Sequence, residues 1–149
     1  MARRLSVEER EAFLARPWVG VLSVTAEPGR APLTTPIWYD YRPGGDLVVL
    51  TSPGLRKARL IAAAGRFALC AQQEAAPYTY VSVEGPVGDT RPATKEQRLA
   101  MAERYIGGEL GVRYVEVTHA AQHANVAITM RPERWNATSF DDVGAAIMD

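Results

Sequence analysis

The feature that most limits the fold of this chain is a run of short strand-like segments joined by tight turns. Residues 19–25 and 33–41 alternate with a two-residue period, and residues 47–51 are apolar enough for a buried strand. The turn signals between them, at residues 27–30 and 43–46, leave no room for a crossover helix. The three segments are therefore predicted to form an antiparallel meander.

Three further segments have strand character: residues 67–73, 78–87 and 126–130. A sheet of about six strands must close on itself or be covered by helices, because open edges invite pairing with other chains. The prediction is a mainly β protein with helices, built as a small six-stranded antiparallel barrel. It forms one domain over residues 1–140, followed by a flexible C-terminal tail over residues 141–149.

Three or four helices are predicted beside the strands. Capping-box patterns start two of them, at Ser6 and at Thr94. Ser52 is the predicted N-cap of another helix over residues 53–64, and a short helix covers residues 109–117. On the helix after Thr94, the side chains predicted to share one face are Leu99, Ala102 and Ile106.

The composition removes several classes of function. The 17 basic and 17 acidic residues cancel, so no global charge favours nucleic acid or an anionic membrane. A single cysteine, Cys70, cannot form an internal disulfide, and its apolar neighbours predict a small buried side chain. No signal peptide or spanning segment is recognised, so a cytoplasmic location is expected. His119 and His123 have a metal-ligand spacing but no supporting ligands nearby, so no metal site is predicted.

The start of the predicted helix after residue 51 carries an unusual charge pattern. Helix N-termini favour acidic side chains, yet the opening turns here hold Arg56, Lys57 and Arg59 without a carboxylate. A bound anion would offset that unfavourable placement, and Thr51 and Ser52 could add hydroxyl donors. A solvated basic face on a surface helix explains the same pattern without a ligand.

The strand over residues 33–41 is the second candidate for binding. Pro32 and Pro36 remove two backbone donors, so this strand is expected to have an open side or a bulge. Open backbone beside a phosphate site could meet the edge of a planar heterocycle, with Trp38 and Tyr39 as walls. An edge strand whose aromatic side chains belong to the core is the alternative.

Taken together, the segments resemble the pyridoxamine 5′-phosphate oxidase-like flavin and deazaflavin oxidoreductases. The resemblance rests on VGVLSV at 19–24, GRAP at 29–32, PIWY at 36–39, LTS at 50–52 and RKAR at 56–59. VSVEG at 81–85, RYIG at 104–107 and MRPERW at 130–135 extend it over most of residues 6 to 140. The order and spacing of these motifs carry the resemblance, since no single motif is decisive.

The resemblance implies a split β-barrel that forms a homodimer, with FMN or coenzyme F420 bound at the subunit interface. It implies that Arg56 and Lys57 meet the cofactor phosphate and that Thr51 and Ser52 lie beside it. The residues that would line the ring are Thr35, Pro36, Ile37 and Trp38.

One departure from the pattern of this family argues against pyridoxamine phosphate oxidase activity. Pyridoxamine phosphate oxidases proper have C-terminal basic residues for the substrate phosphate, whereas this chain ends in Ile147-Met148-Asp149. The short form is more similar to the actinobacterial F420-using branch, and FMN remains open. The expectation is hydride transfer to a small conjugated or heterocyclic substrate, with no catalytic side chain. A non-catalytic protein that binds or stores flavin, F420 or haem is the alternative.

Overall fold

The computed structural model describes residues 2–149. It contains nine strands in that range, whereas six were predicted. The sequence prediction missed the strands Arg3–Arg4 and Arg134–Ser139, and it treated residues 33–41 as one strand where the structure has two. The strands are β1 (Arg3–Arg4), β2 (Gly20–Val24), β3 (Leu33–Ile37), β4 (Tyr39–Tyr41), β5 (Leu47–Thr51), β6 (Arg66–Gln72), β7 (Thr79–Pro92), β8 (Val126–Met130) and β9 (Arg134–Ser139). The helices are α1 (Val7–Leu14), α2 (Arg56–Ala64), α3 (Lys95–Tyr105), α4 (Gly108–Gln122) and α5 (Asp141–Met148). No helix within this range has both the length and the apolar character needed to cross a bilayer.

All strand pairs are antiparallel, as the short connections predicted, and the path across the sheet is β3-β2-β6-β7-β8-β5-β4. The additional strand β9 pairs with β7 and with β1. The sheet curls around one core, whose fully buried side chains include Leu22, Tyr39, Val49 and Leu69. The prediction of a mainly β protein with helices is thus confirmed, and its sheet is a curled antiparallel half-barrel.

The barrel is split because the chain crosses twice from one part of the sheet to the other. The predicted strand over residues 33–41 breaks at Trp38, so that β3 pairs with β2 while β4 pairs with β5. The predicted alternation within it is confirmed, since Ile37, Tyr39 and Tyr41 are all buried. The second transfer lies between β8 and β9, which pair with successive parts of β7.

Gly85 permits that second transfer. The chain between β8 and β9 turns against β7, where the Arg131 amide donates to the Pro86 carbonyl at 3.0 Å and the Glu133 amide donates to that of Glu84 at 2.9 Å. A Cβ added at Gly85 would lie 1.8 Å from the Arg131 carbonyl oxygen. Backbone therefore occupies the space that any side chain at this position would need.

Two helices differ from their predicted bounds. Helix α2 begins at Arg56 rather than residue 53, because the Leu55 amide donates to the Ser52 carbonyl at 3.2 Å and closes a turn first. Ser52 is therefore not the N-cap; that position belongs to Leu55, which has no side-chain cap. Helix α4 extends to Gln122 instead of ending at residue 117.

On α3, the buried residues are Arg98, Met101 and Ala102. The predicted face of Leu99, Ala102 and Ile106 is therefore turned by about one residue, and Ile106 is exposed. Helix α4 packs beside α3 and decides which residues of α3 are covered.

The segment predicted as a tail forms helix α5. Its start is fixed by the Phe140 amide, which donates to the Tyr78 carbonyl at 2.8 Å, and by an ion pair between Arg3 and Asp141 at 2.8 Å. Its far end is open to solvent, since Ile147 and Met148 are mostly exposed. The division of the chain into a domain and a flexible tail stays a prediction.

Gly85→Ala should lower the free energy of unfolding by at least about 2 kcal/mol, because the new methyl group must displace backbone. Gly54→Ala is the matched control, since an added Cβ there meets nothing within 4 Å. Urea denaturation of both variants measures the difference. Equal stability of the two variants would contradict the close approach at Gly85.

Candidate functional site

The open edge of the sheet lies at β3, which contains Pro36 and directly follows Pro32. Within residues 2–149, β3 pairs with β2 on one side only. Pro36 stands opposite Val21, and a residue without an N–H fits a pair that exchanges no hydrogen bonds. Since such pairs alternate, Thr34 presents its backbone N–H and C=O to the open side together with the Pro36 carbonyl. The predicted open side is therefore confirmed.

A groove runs over the outer face of β2, β3 and β6, next to this edge. Its volume is about 880 Å³, within the range of ligand pockets. Pro36, Val21 and Cys70 contribute to its floor, and its ends are formed by residues 16–19 and 72–75. Burial raises the pKa of the Cys70 thiol, so this side chain is a protonated apolar surface and not a nucleophile.

The start of α2 lies at the hairpin end of β3. Arg56 is the first helical residue, and its guanidinium binds both carboxylate oxygens of Glu27, in the β2–β3 turn, at 2.6 and 3.2 Å. This bidentate ion pair lowers the pKa of Glu27 to about 2 and raises the pKa of Arg56. The charge of Arg56 is therefore already balanced by the protein.

Lys57 is in a different situation. It is the second residue of α2 and half-buried, and the described part of the chain offers it no carboxylate partner. The amides of Arg56 and Lys57 have no acceptor inside the helix, because the first turn leaves its N–H groups free. Arg59 folds back over the same turn and donates to the Gly54 carbonyl at 2.8 Å. The result is a local excess of positive charge and free donors without an acidic side chain in the first turn.

The two hydroxyl residues at the end of β5 are placed differently from each other. Thr51 is 4% exposed and shares the inward face of β5 with Leu47 and Val49, and its Oγ1 atom is buried without a partner. Its hydroxyl therefore points into the barrel and away from solvent. Ser52 is half-buried and directly precedes the turn that leads into α2.

The predicted ring-lining residues divide between two surfaces. Pro36 is exposed in the groove, Thr35 is half-buried, and Ile37 is in the core. Trp38 lies elsewhere, in a cavity beneath α3 and α4, where its ring stacks on Tyr105 at a centroid distance of 4.9 Å. The interpretation of Tyr39 as a wall of the site is wrong, because its ring is fully buried and its hydroxyl donates to the Leu14 carbonyl at 2.7 Å.

Sequence reasoning missed the residues that hold the break between β3 and β4. The Tyr105 hydroxyl accepts from the Tyr39 amide at 3.1 Å and donates to the Trp18 carbonyl at 2.7 Å. Arg104 donates to the carbonyls of Ala15 and Arg16, each at 2.8 Å. Both residues belong to the RYIG motif, but nothing in its spacing indicates that they bind distant backbone.

The two histidines do not form a ligand cluster. Their ring centroids are 5.4 Å apart, and the Nδ1 atom of His123 lies 3.0 Å from the His119 carbonyl. Over residues 2–149, no group of three or more His, Cys, Asp or Glu side chains is arranged to hold a metal ion.

Comparison with known proteins identifies the fold. The sequence matches no protein-family model and no curated protein. A conserved hypothetical protein from Mycobacterium tuberculosis is similar in structure with a TM-score of 0.75 and 19% identity, over 94% of this chain and 88% of that chain. A structure described as an F420 reductase gives a TM-score of 0.61 and 23% identity, over 85% of this chain and 94% of that one. A FAD-binding protein from Mesorhizobium loti gives 0.65 and 20%, over 93% and 96%.

The ion pair between Glu27 and Arg56 predicts a pH dependence. The pKa of Glu27 is lowered from 4.5 to about 2 on folding, so the pair stabilises the protein fully above pH 4.5 and is lost as the pH falls towards 2. The Tm of the wild type should therefore exceed that of Glu27→Gln at pH 6, and the difference should shrink between pH 4.5 and 2.

Glu74→Gln is the control for this experiment, because Glu74 is exposed and has no ion-pair partner in the described residues. It should follow the wild-type profile across the acidic range. A Tm difference between wild type and Glu27→Gln that is constant from pH 6 to 2 would contradict the ion pair.

Proposed function

We propose that this chain, whose fold is that of the pyridoxamine 5′-phosphate oxidase-like split barrels, is an oxidoreductase that uses F420 or FMN. When bound, the reduced cofactor supplies a hydride to a small conjugated or heterocyclic substrate. The observation that carries the proposal is the unbalanced charge of Lys57 at the start of α2, beside an open strand edge and a groove of about 880 Å³. The cofactor performs the redox chemistry, and the protein binds and orients it.

The described residues fit a ligand with a phosphate and a planar ring. Lys57 and the free amides of the first helical turn suit the phosphate, since helix N-termini bind anions. The strand β3 leads from the hairpin beside α2 to Pro36 in the groove, and three steps at about 3.3 Å per residue make roughly 10 Å. That separation suits a ligand whose anionic group and ring lie at opposite ends.

The predicted site residues have unequal support in this proposal. Lys57 and the half-buried Ser52 lie near the start of α2, which supports a role for them at the phosphate. On β3, the Pro36 carbonyl at the open edge supports a contact with the ring, whereas the backbone groups of Thr35 and Ile37 face β2. Arg56 contributes less than its charge suggests, because Glu27 neutralises it. The inward-facing hydroxyl of Thr51 does not suit a phosphate contact, so its contribution is the position of the strand end.

The groove also supports a homodimer. Val19 and Val21 are 55% and 38% exposed on a sheet face that continues to Pro36 and Cys70. Exposed apolar side chains grouped on one surface are typical of an interface. A second copy seated on this face would cover them, close the open wall of the groove and enclose the cofactor between two chains.

Lys57→Ala should weaken binding of FMN or F420 by roughly 10- to 150-fold, the equivalent of about 1.5–3 kcal/mol for a charge-assisted hydrogen bond. Arg56→Ala should weaken it less, because that charge is already paired. The matched control is Lys95→Ala, which removes an exposed lysine from the first turn of α3.

Sedimentation velocity with visible-light detection measures this prediction, because the cofactor absorbs there and the protein does not. Bound cofactor should sediment with a species of about twice the 16.3 kDa chain mass. Equal affinity of the Lys57→Ala and Lys95→Ala variants would disprove the phosphate assignment, and sedimentation as a single chain would disprove the dimer.

Turnover separates an enzyme from the alternative of a binding or storage protein. Reduced F420 or FMN should be reoxidised faster with the protein and a quinone acceptor together than with either one alone. Stopped-flow absorbance of the cofactor measures the rate of this reoxidation. Saturable cofactor binding without any acceleration over a panel of quinones and conjugated heterocycles would favour storage, and binding of haem alone would reject both flavin-type ligands.

A further inference from the structure

A second cavity lies between α3, α4 and the outer face of β5, on surfaces that the proposed cofactor site does not use. Its volume is about 170 Å³. One wall is apolar and formed by Trp38, Leu50 and Met101. The other side carries the polar side chains of Arg98 and Gln122. The cavity therefore combines a flat aromatic wall with a concentrated positive charge.

Arg98 is the unusual residue of this cavity. It is only 7% exposed, and its Nε atom is buried without a hydrogen-bond partner. Among the residues that the structure describes, no carboxylate forms an ion pair with it. Burial of most of a guanidinium without a countercharge is costly, and an anion bound in the cavity would offset that cost.

The neighbours of Arg98 do not supply that countercharge. The contact nearest to a hydrogen bond is with His119, whose Nδ1 lies 3.5 Å from Nη1 of the guanidinium. Arginine can only donate, so His119 accepts there only as a neutral ring. Gln122 is already engaged, since its amide donates to the Tyr114 hydroxyl at 3.2 Å. Of the five N–H donors of Arg98, one faces His119, and the other four have no protein acceptor in the described residues.

The shape of the cavity limits the ligand. A cavity of about 150 Å³ accommodates a benzene-sized molecule, and this one is about 170 Å³. Trp38 is stacked on Tyr105 with an interplanar angle of 9°, so its ring is held in place as a wall. This space suits a compact planar acid better than a bulky anion.

We infer that this cavity binds a small carboxylate with a planar apolar body, whose carboxylate group pairs with Arg98 while its body packs against Trp38. The site goes beyond the proposed redox function and does not depend on it, because it uses no residue from the start of α2 or from the groove. Trp38 directly follows Ile37 of β3, so a ligand in this cavity would lie next to the strand that borders the groove.

Benzoate is the test probe and benzamide is its neutral counterpart. The protein contains three tryptophans, so three indole N–H signals can be followed by NMR during a titration of the full chain without added cofactor. Assignment of the Trp38 signal comes from its loss in Trp38→Phe. Benzoate should shift that signal saturably and bind at least tenfold more tightly than benzamide.

Arg98→Gln should reduce benzoate affinity at least tenfold, whereas Arg113→Gln, which removes an exposed charge of α4, should leave it unchanged. In the absence of ligand, Arg98→Met should keep or raise the Tm, because it removes an uncompensated buried charge. That readout separates a binding arginine from a merely structural one, whose loss would lower the Tm.

Several results would overturn the inference. Shifts that do not saturate, equal affinity for benzoate and benzamide, or a shift of the Trp18 signal in place of Trp38 would each reject this site. If Arg98→Gln and Arg113→Gln weakened benzoate binding equally, the effect would come from the overall charge of the protein and not from a contact with Arg98. The comparison of benzoate with benzamide uses the wild type alone, so it decides the matter even if the Arg98 variants fail to fold.

Discussion

The hydrogen bonds of the Tyr105 hydroxyl are the interactions on which the arrangement of the groove and of the cavity under α3 and α4 depends. This hydroxyl binds the Tyr39 amide and the Trp18 carbonyl at the point where the chain passes from β3 to β4. These backbone groups would otherwise be unpaired where one strand changes partners, and buried unpaired groups are costly. Burial raises the pKa of Tyr105, so the hydroxyl stays protonated and able to donate. One side chain from α3 thereby stabilises the split in the sheet.

The same break separates two neighbouring residues onto different surfaces. Pro36 enters the groove over β2 and β6, while Trp38 enters the cavity under α3 and α4. A regular strand would place these residues on one face, since they are two positions apart. Because the strand is interrupted at Trp38, two candidate ligand sites lie on either side of the same part of the sheet.

Charge near these sites is decided by pairing more than by residue type. Arg56 and Lys57 look equivalent as adjacent cations at a helix start, yet Glu27 of the β2–β3 turn neutralises only Arg56. Sequence analysis did not single out Arg98, because one arginine after a capping box is ordinary on a solvated helix. Its importance comes from the packing of α4, which buries the guanidinium without providing a carboxylate.

By itself, the sequence determined the antiparallel barrel, the inward positions of the strand over residues 33–41, the open edge at Pro36 and the basic start of α2. These follow from local rules of alternation, turn chemistry and proline geometry, which act over a few residues. Only the tertiary structure decided that Tyr105 holds the break between β3 and β4, that Thr51 faces inward, that Glu27 pairs with Arg56 and that Arg98 is buried. Each of these depends on a contact between segments distant in the chain, and such contacts leave no periodic trace in the sequence.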